Sequence, residues 1–373
     1  MLIDRVRRRV ADDPAVVEAA DGAARVAAIR SAVARAVRDE GAFLAPDALA
    51  AAVREVADAL AGLGPVQPLL RDPAVTDVMV NGPGEVWVER AGRLERTEVQ
   101  FADAEAVRAA VMRVVGPLGL RFDRAHPFVD ARLADGSRLH ALLPPLAPTG
   151  PVVTIRRFSA VQASWDALAS AGAVPPEITT LLRAAVADRR AIVICGRTGT
   201  GKTTLLGLLL TEVPASERVV VIEDAPELRP RCAHVVRLET RPPNAEVAGE
   251  VTIRDLVRQS LRMRPDRIVV GEVRGVEIVD VLQALATGHE GCMTTVHARA
   301  AGEALVRLEG MALLGGLPLA AARAQLEVGL DLFVVLSRGP DGQRGVVQVA
   351  EVASRGGDGP LRAREIWRRG RWS

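Results

Sequence analysis

The chain has no tyrosine, and aromatic residues make up only 3% of its 373 positions. Its core must therefore be assembled from Ala, Val and Leu. Cysteine is almost as scarce. Cys195, Cys232 and Cys292 lie far apart with no C-x-x-C spacing, which argues against a zinc site and against a disulfide framework. Cys195 ends the apolar run Ala191-Ile192-Val193-Ile194-Cys195 and reads as a buried strand residue. No run approaches the ~18 apolar residues of a membrane-spanning helix. Arg5, Arg7, Arg8 and Arg9 are followed by Asp12 and Asp13, where a signal peptide needs an apolar stretch. The expectation is a cytoplasmic protein, still able to dock peripherally on a membrane complex. A net charge of +2 argues against a general polyanion binder but leaves local arginine clusters open. Hydrophobic content of 49% with 25% charge describes a folded chain.

Lysine is the most informative scarcity. Lys202 is the only lysine among 48 basic residues, so every other one is arginine. It falls in Gly196-Arg197-Thr198-Gly199-Thr200-Gly201-Lys202-Thr203-Thr204, which matches the phosphate-binding loop G-x-x-x-x-G-K-[ST]. A compact ammonium reaches a β- or γ-phosphate oxygen inside a narrow loop where a guanidinium fork does not fit. The loop follows an apolar strand and precedes the helical run Thr204–Leu210, the context the motif requires. Its glycines let amides converge on phosphates, and Thr203 is positioned to ligate Mg²⁺. ATP and Mg²⁺ are the expected substrate and metal.

The pattern along the chain divides it. Residues 1–62 read as a helical extension, with Leu2, Val6 and Val10 at four-residue spacing and Pro46 at a first helical turn. Gly62-Leu63-Gly64-Pro65 breaks that period. Residues 63–158 read as a small α+β domain: strands at Val75–Val80, Glu85–Glu89 and Val152–Phe158, a helix at Ala104–Val115, and a hairpin over Leu133–Leu143 around Asp135-Gly136. The Ala/Ser-rich stretch 159–177 reads as a linker. From 178 to 373 helices alternate with short apolar strands: Ala191–Cys195, Val219–Ile222, Ile268–Val270, Met293–Val296 and Leu332–Leu336. That alternation implies a doubly wound α/β domain with a largely parallel sheet.

Strand C-termini mark the ligand edge of such a sheet. One strand ends in Glu223-Asp224 and another in Gly271-Glu272. Glu272 is placed to polarise the attacking water and to approach Mg²⁺ through water, although glycine stands where many ATPases carry a metal-ligating aspartate. Both glutamates also read as ordinary surface acids when taken singly. His297 follows a third strand; it is either a γ-phosphate contact or a satisfied core histidine. Arg132, Arg138, Arg156 and Arg157 flank strands of the α+β domain and are either arginine fingers or solvated charges.

The run Leu256-Val257-Arg258-Gln259-Ser260-Leu261-Arg262-Met263-Arg264-Pro265-Asp266-Arg267-Ile268-Val269-Val270-Gly271-Glu272-Val273-Arg274-Gly275 resembles the signature of the TadA/CpaF secretion ATPases, within the type II/type IV secretion ATPase superfamily. The resemblance extends from about Gly62 to about Arg338. It includes Val78-Met79-Val80-Asn81-Gly82-Pro83, Val129–Arg138, Thr154–Phe158 and Val235–Asn244. It implies a RecA-like P-loop domain preceded by a PAS-like α+β domain. Gly196–Thr204 becomes Walker A, Glu223-Asp224 with Glu227 the Asp box, Gly271-Glu272 an atypical Walker B, and Gly288–His297 the His box. It further implies a homo-hexamer that powers pilus assembly or protein secretion through inner-membrane platform proteins. Two departures stand out: Arg197 and Thr200 within the loop, and Arg299 after His297-Ala298 where the family has asparagine. A conjugation-associated DNA-transfer ring is the alternative. The near-neutral charge and few aromatic stacking residues argue against direct nucleic-acid binding.

Overall fold

The computed structural model describes residues 2–19, 23–90, 92–157, 164–228, 230–241, 249–339, 342–353 and 359–370. Phe158, the first residues of the 159–177 stretch and Pro242-Pro243-Asn244 lie outside them. The chain forms two compact units, residues 1–160 and 161–373.

The first unit opens with four helices: α1 (Leu2–Ala11), α2 (Pro14–Val17), α3 (Ala23–Asp39) and α4 (Pro46–Ala61). The apolar stripe read from the sequence is their seam. Val6 and Val10 of α1 meet Ile29, Val33 and Val37 of α3 and Val56 of α4, all buried. Charged pairs rim that seam, Arg35–Asp13 at 2.6 Å and Arg9–Asp39 at 2.8 Å. After α5 (Gln67–Arg71) come β1 (Val75–Asn81), β2 (Val86–Arg90), β3 (Arg93–Arg96), α6 (Ala104–Val115), β4 (Phe128–Arg132), β5 (Arg138–Leu142) and β6 (Val152–Arg156). The six strands form one antiparallel sheet in the order β3-β2-β1-β6-β5-β4. Val78, Val80, Val86, Val88, Leu139 and Ile155 point from one face onto Val107, Val111 and Val115 of α6. The Asp135-Gly136 turn is where the sequence placed it, with Asp135 Oδ1 accepting from the Ser137 amide at 2.9 Å. The strand entering that turn is Phe128–Arg132, earlier than the residue at which the hairpin was expected to begin.

The second unit contains α7 (Trp165–Ser170), α8 (Pro176–Ala187), β7 (Ile192–Gly196), α9 (Lys202–Thr211), β8 (Arg218–Glu223), β9 (His234–Glu239), α10 (Ile253–Ser260), β10 (Arg267–Val270), α11 (Ile278–Ala286), β11 (Met293–Val296), α12 (Ala301–Leu314), α13 (Leu319–Gly329), β12 (Leu332–Arg338), β13 (Arg344–Ala353) and β14 (Arg362–Arg368). The sheet order is β14-β13-β12-β7-β11-β10-β8-β9. Its six strands from β12 to β9 are parallel, and β13 and β14 add antiparallel to the β12 edge. A strand covered by helices on both faces needs apolar residues at every position. In β7, Val193 and Cys195 face one helical layer while Ile192 and Ile194 face the other. Cys195 is buried as expected, and burial holds its thiol pKa far above the usual range. The expected linker stretch carries a helix: Ser164 caps α7, and the buried Trp165 donates its indole N–H to Glu212 at 2.6 Å.

Candidate functional site

The parallel register brings the C-termini of β7, β8, β10 and β11 to one edge. Here β7 ends at Gly196, the loop turns, and α9 begins at Lys202. Gly201 stands at the helix N-cap with φ +96°, a left-handed conformation that a side chain would strain. Among the described residues the amides of Lys202, Thr203 and Thr204 reach no acceptor, whereas the next, Leu205, bonds Gly201 O at 2.9 Å. Three free N–H groups at the positive end of a helix form a cradle for an anion. Lys202 is buried on the inner side of the loop. Its Nζ donates to Gly196 O at 3.0 Å and to Arg197 O at 3.2 Å. Burial pulls its pKa down from the usual lysine range, and the Glu272 carboxylate pulls the other way. Thr200 is buried and donates to Arg197 O at 2.8 Å, closing the loop on itself. Arg197, Thr198, Gly199 and Thr204 face solvent, and Thr203 is half-buried.

The acids divide into two kinds. Glu223, at the end of β8, is 5% exposed. Its Oε1 accepts from the amides of Glu227 and Leu228, each at 2.9 Å, which folds the 224–228 loop over the start of α9. Burial pushes its pKa up to about 7, against the pull of those amides and of Arg237, whose Nη2 is 3.9 Å from Oε2. Such a residue organises the wall of the site. Glu227 itself is exposed, and its Oε2 accepts from Thr203 Oγ1 at 3.3 Å. The glycine that precedes Glu272 has a steric reason. A Cβ on Gly271 would lie 2.9 Å from Glu223 Cγ, so the glutamate occupies the room a metal-ligating aspartate would need.

Glu272 follows β10 and is 18% exposed. His297 Nε2 lies 2.7 Å from its Oε1, and Arg274 Nη2 donates to its Oε2 at 2.7 Å. Burial raises its pKa, but Arg274, His297 and Lys202 outweigh that and leave it below the usual carboxylate range. Burial lowers the His297 pKa, assisted by Lys202 and opposed by Glu272. The structure thus brings Lys202, Thr203, Glu227, Glu272 and His297 to one sheet edge, with Glu223 beneath them. The arrangement offers an anion cradle, a cation inside it and a carboxylate facing it. Arg274 was not singled out in the sequence. Its only signal was its place in the Gly271–Gly275 run, since arginine is too common here to draw notice.

In the first unit the four candidate arginines separate into two roles. Arg132, Arg138 and Arg156 stand directly opposite one another on β4, β5 and β6, on the sheet face away from α6. Asp77 of β1 continues the row, with Arg156 Nε 3.4 Å from its Oδ1. Like charges in cross-strand register are unfavourable. Arg157 is outside this row; its guanidinium donates to the carbonyls of Asp72 and Val75 and secures the entry to β1.

A family model described as type II/IV secretion system protein matches residues 59–335. A putative conjugal transfer protein of Mycobacterium tuberculosis is 44% identical over 314 residues, covering 83% of this chain and 89% of the relative. The type IV secretion system protein VirB11 of Brucella suis is 32% identical over 328 residues, covering 80% and 90%. Among solved structures, the pilus retraction motor PilT with bound ADP superposes with a TM-score of 0.54 at 18% identity, over 76% of this chain and 80% of that one. The Legionella pneumophila ATPase DotB gives 0.54 at 20% identity, over 75% and 77%. These two likenesses concern the fold alone. Among the described residues no helix is long and apolar enough to cross a membrane.

Proposed function

Since the chain belongs to the type II/IV secretion system protein family, we propose that it is a ring-forming motor that hydrolyses ATP to drive pilus assembly or protein secretion. ATPase activity is common ground for this family and fold. The finer reading is a homo-hexamer of the TadA/CpaF type, working at the cytoplasmic face of the inner membrane through platform proteins. The observation that carries the ATP-hydrolysing reading is the cradle at the start of α9, with Lys202 inside it and Glu272 facing it across the sheet edge.

In this reading the first-turn amides and Lys202 take the phosphates. The two carbonyls that Lys202 now contacts are exchanged for phosphate oxygens. Glu272 orients and polarises the attacking water, and His297 holds Glu272 in place. No group of three or more His, Cys, Asp or Glu among the described residues forms a metal cage. A bound Mg²⁺ would be held by the Thr203 hydroxyl together with phosphate oxygens and water, with Glu272 reaching it through water. The Thr203–Glu227 contact supplies the oxygen donors such a hard cation prefers. When bound, the metal would supply charge neutralisation to the phosphates. Arg132, Arg138 and Arg156 supply charge to the triphosphate in the assembled ring.

The test is phosphate release by the purified chain. Lys202→Ala is expected to lower turnover by at least ~10²-fold, in line with losing a preorganised charge at the reacting phosphate. Glu272→Gln is expected to bind ATP and not cleave it. Appreciable hydrolysis by Lys202→Ala would sink the mechanism. DNA transfer is a second reading, favoured by the description of the 44% identical relative as a putative conjugal transfer protein. DNA-stimulated, salt-sensitive hydrolysis would select it, whereas capture of platform proteins from a membrane fraction supports secretion.

A further inference from the structure

We propose that Arg274 is a positioning residue that senses the terminal phosphate of ATP, resting on Glu272 when that phosphate is absent and releasing it when the phosphate arrives. The inference deepens the ATPase reading and rests on it.

Arg274 is held at its backbone, and its guanidinium reaches out to carboxylates. Glu277 Oε1 accepts from the amides of Arg274 and Gly275 at 2.6 and 2.8 Å, which anchors the main chain after Glu272. The side chain is 55% exposed. Its guanidinium lies among carboxylates from two walls of the site: Glu272 Oε2 at 2.7 Å and Asp224 Oδ2 at 3.7 Å, with Glu227 also acting on it. Lys202 shows the same habit, with its ammonium resting on two loop carbonyls. Both cations of the site are thus seated on protein oxygens that phosphate oxygens can replace.

The consequence concerns Glu272. Arg274 donates to Oε2, whereas Oε1, buried 2.7 Å from His297 Nε2, accepts no hydrogen bond. A carboxylate whose outer oxygen is held by a guanidinium has less capacity to orient a water than one released from it. A terminal phosphate entering beside Glu272 carries more negative charge than Asp224 or Glu227 and offers two oxygens that a guanidinium can engage bidentately. Transfer of Arg274 to that phosphate leaves Glu272 with a free oxygen beside it. ADP lacks the terminal phosphate, so the resting pair persists with ADP bound. The site then readies its water-orienting group only when there is a bond to cleave.

The experiment compares binding of ADP and of the imido analogue of ATP, each with Mg²⁺, to the full chain and to Arg274→Gln and Arg274→Lys, alongside steady-state kcat and KM. The parent is expected to prefer the ATP analogue. Arg274→Gln is expected to lose that preference by roughly tenfold to a hundredfold, the usual worth of one charge-assisted hydrogen bond. Its ADP affinity should hold while kcat falls and KM for ATP rises. Arg274→Lys is expected to restore part of the preference because it keeps the charge. If Arg274→Gln keeps the parent's preference, or loses ADP and ATP binding equally, the assignment is overturned. A parent that binds neither nucleotide would instead overturn the ATPase reading, so the two failures are distinct.

Discussion

At the scale of single residues, Glu223 shows what a motif does not reveal. Two amides hold it, a guanidinium approaches it, and burial still keeps its pKa near 7, above its ordinary value of 4.5. The folded state therefore binds this proton more tightly than the unfolded chain. Its contribution to stability is fully present below about pH 4.5, is lost as pH rises towards about 7, and is constant above that. Glu223→Gln keeps a carbonyl for the Glu227 and Leu228 amides and removes the titration. Its melting temperature is expected to fall less than the parent's between about pH 5 and 7.5, as read by thermal unfolding; equal slopes would exclude Glu223 as the titrating group. Lys202 was legible because it is unique and sits in a motif. Arg274 was not, as one arginine among many, and its meaning comes from its pairing with Glu272 and from Asp224, brought to it by β8.

At the scale of elements, the period of apolar residues located the helices and the central strands well. β7 needs apolar residues at every position, and the sequence supplies them. The edge strands were harder. β3 is exposed at all four positions and β14 at most of its seven, so neither shows a buried face to read. The row of Arg132, Arg138 and Arg156 was equally invisible, because register across β4, β5 and β6 depends on turn lengths and sheet order. That row carries its own prediction. Arg138→Ala removes one charge of the row, and its effect on stability is read separately by denaturant unfolding. Phosphate release should fall by ~10³-fold or more if the row serves the triphosphate. A variant that keeps the parent's kcat would make the row a solvated surface.

At the scale of the whole molecule, the chain consists of two units with separate cores, and the phosphate cradle belongs to the second. If arginines of one subunit complete the site of another, hydrolysis per chain depends on assembly. Specific activity is expected to rise with chain concentration and level off where size-exclusion chromatography shows a single large species. Activity independent of dilution, with a monomer eluting throughout, would argue for a site complete within one chain. Sequence alone located the alternation of helices and apolar strands, the loop at Gly196–Thr204 and the type II/IV secretion family, though not the TadA/CpaF branch, because each depends on local spacing or on long runs of matched residues. Only tertiary structure decided that Glu223 is buried against Gly271, that Arg274 rests on Glu272, and that Arg267, one arginine among many, is fully buried on Glu217. Burial and register join Glu223 to Gly271 and Arg267 to Glu217, tens of positions apart. Those distances exist only once the sheet has formed.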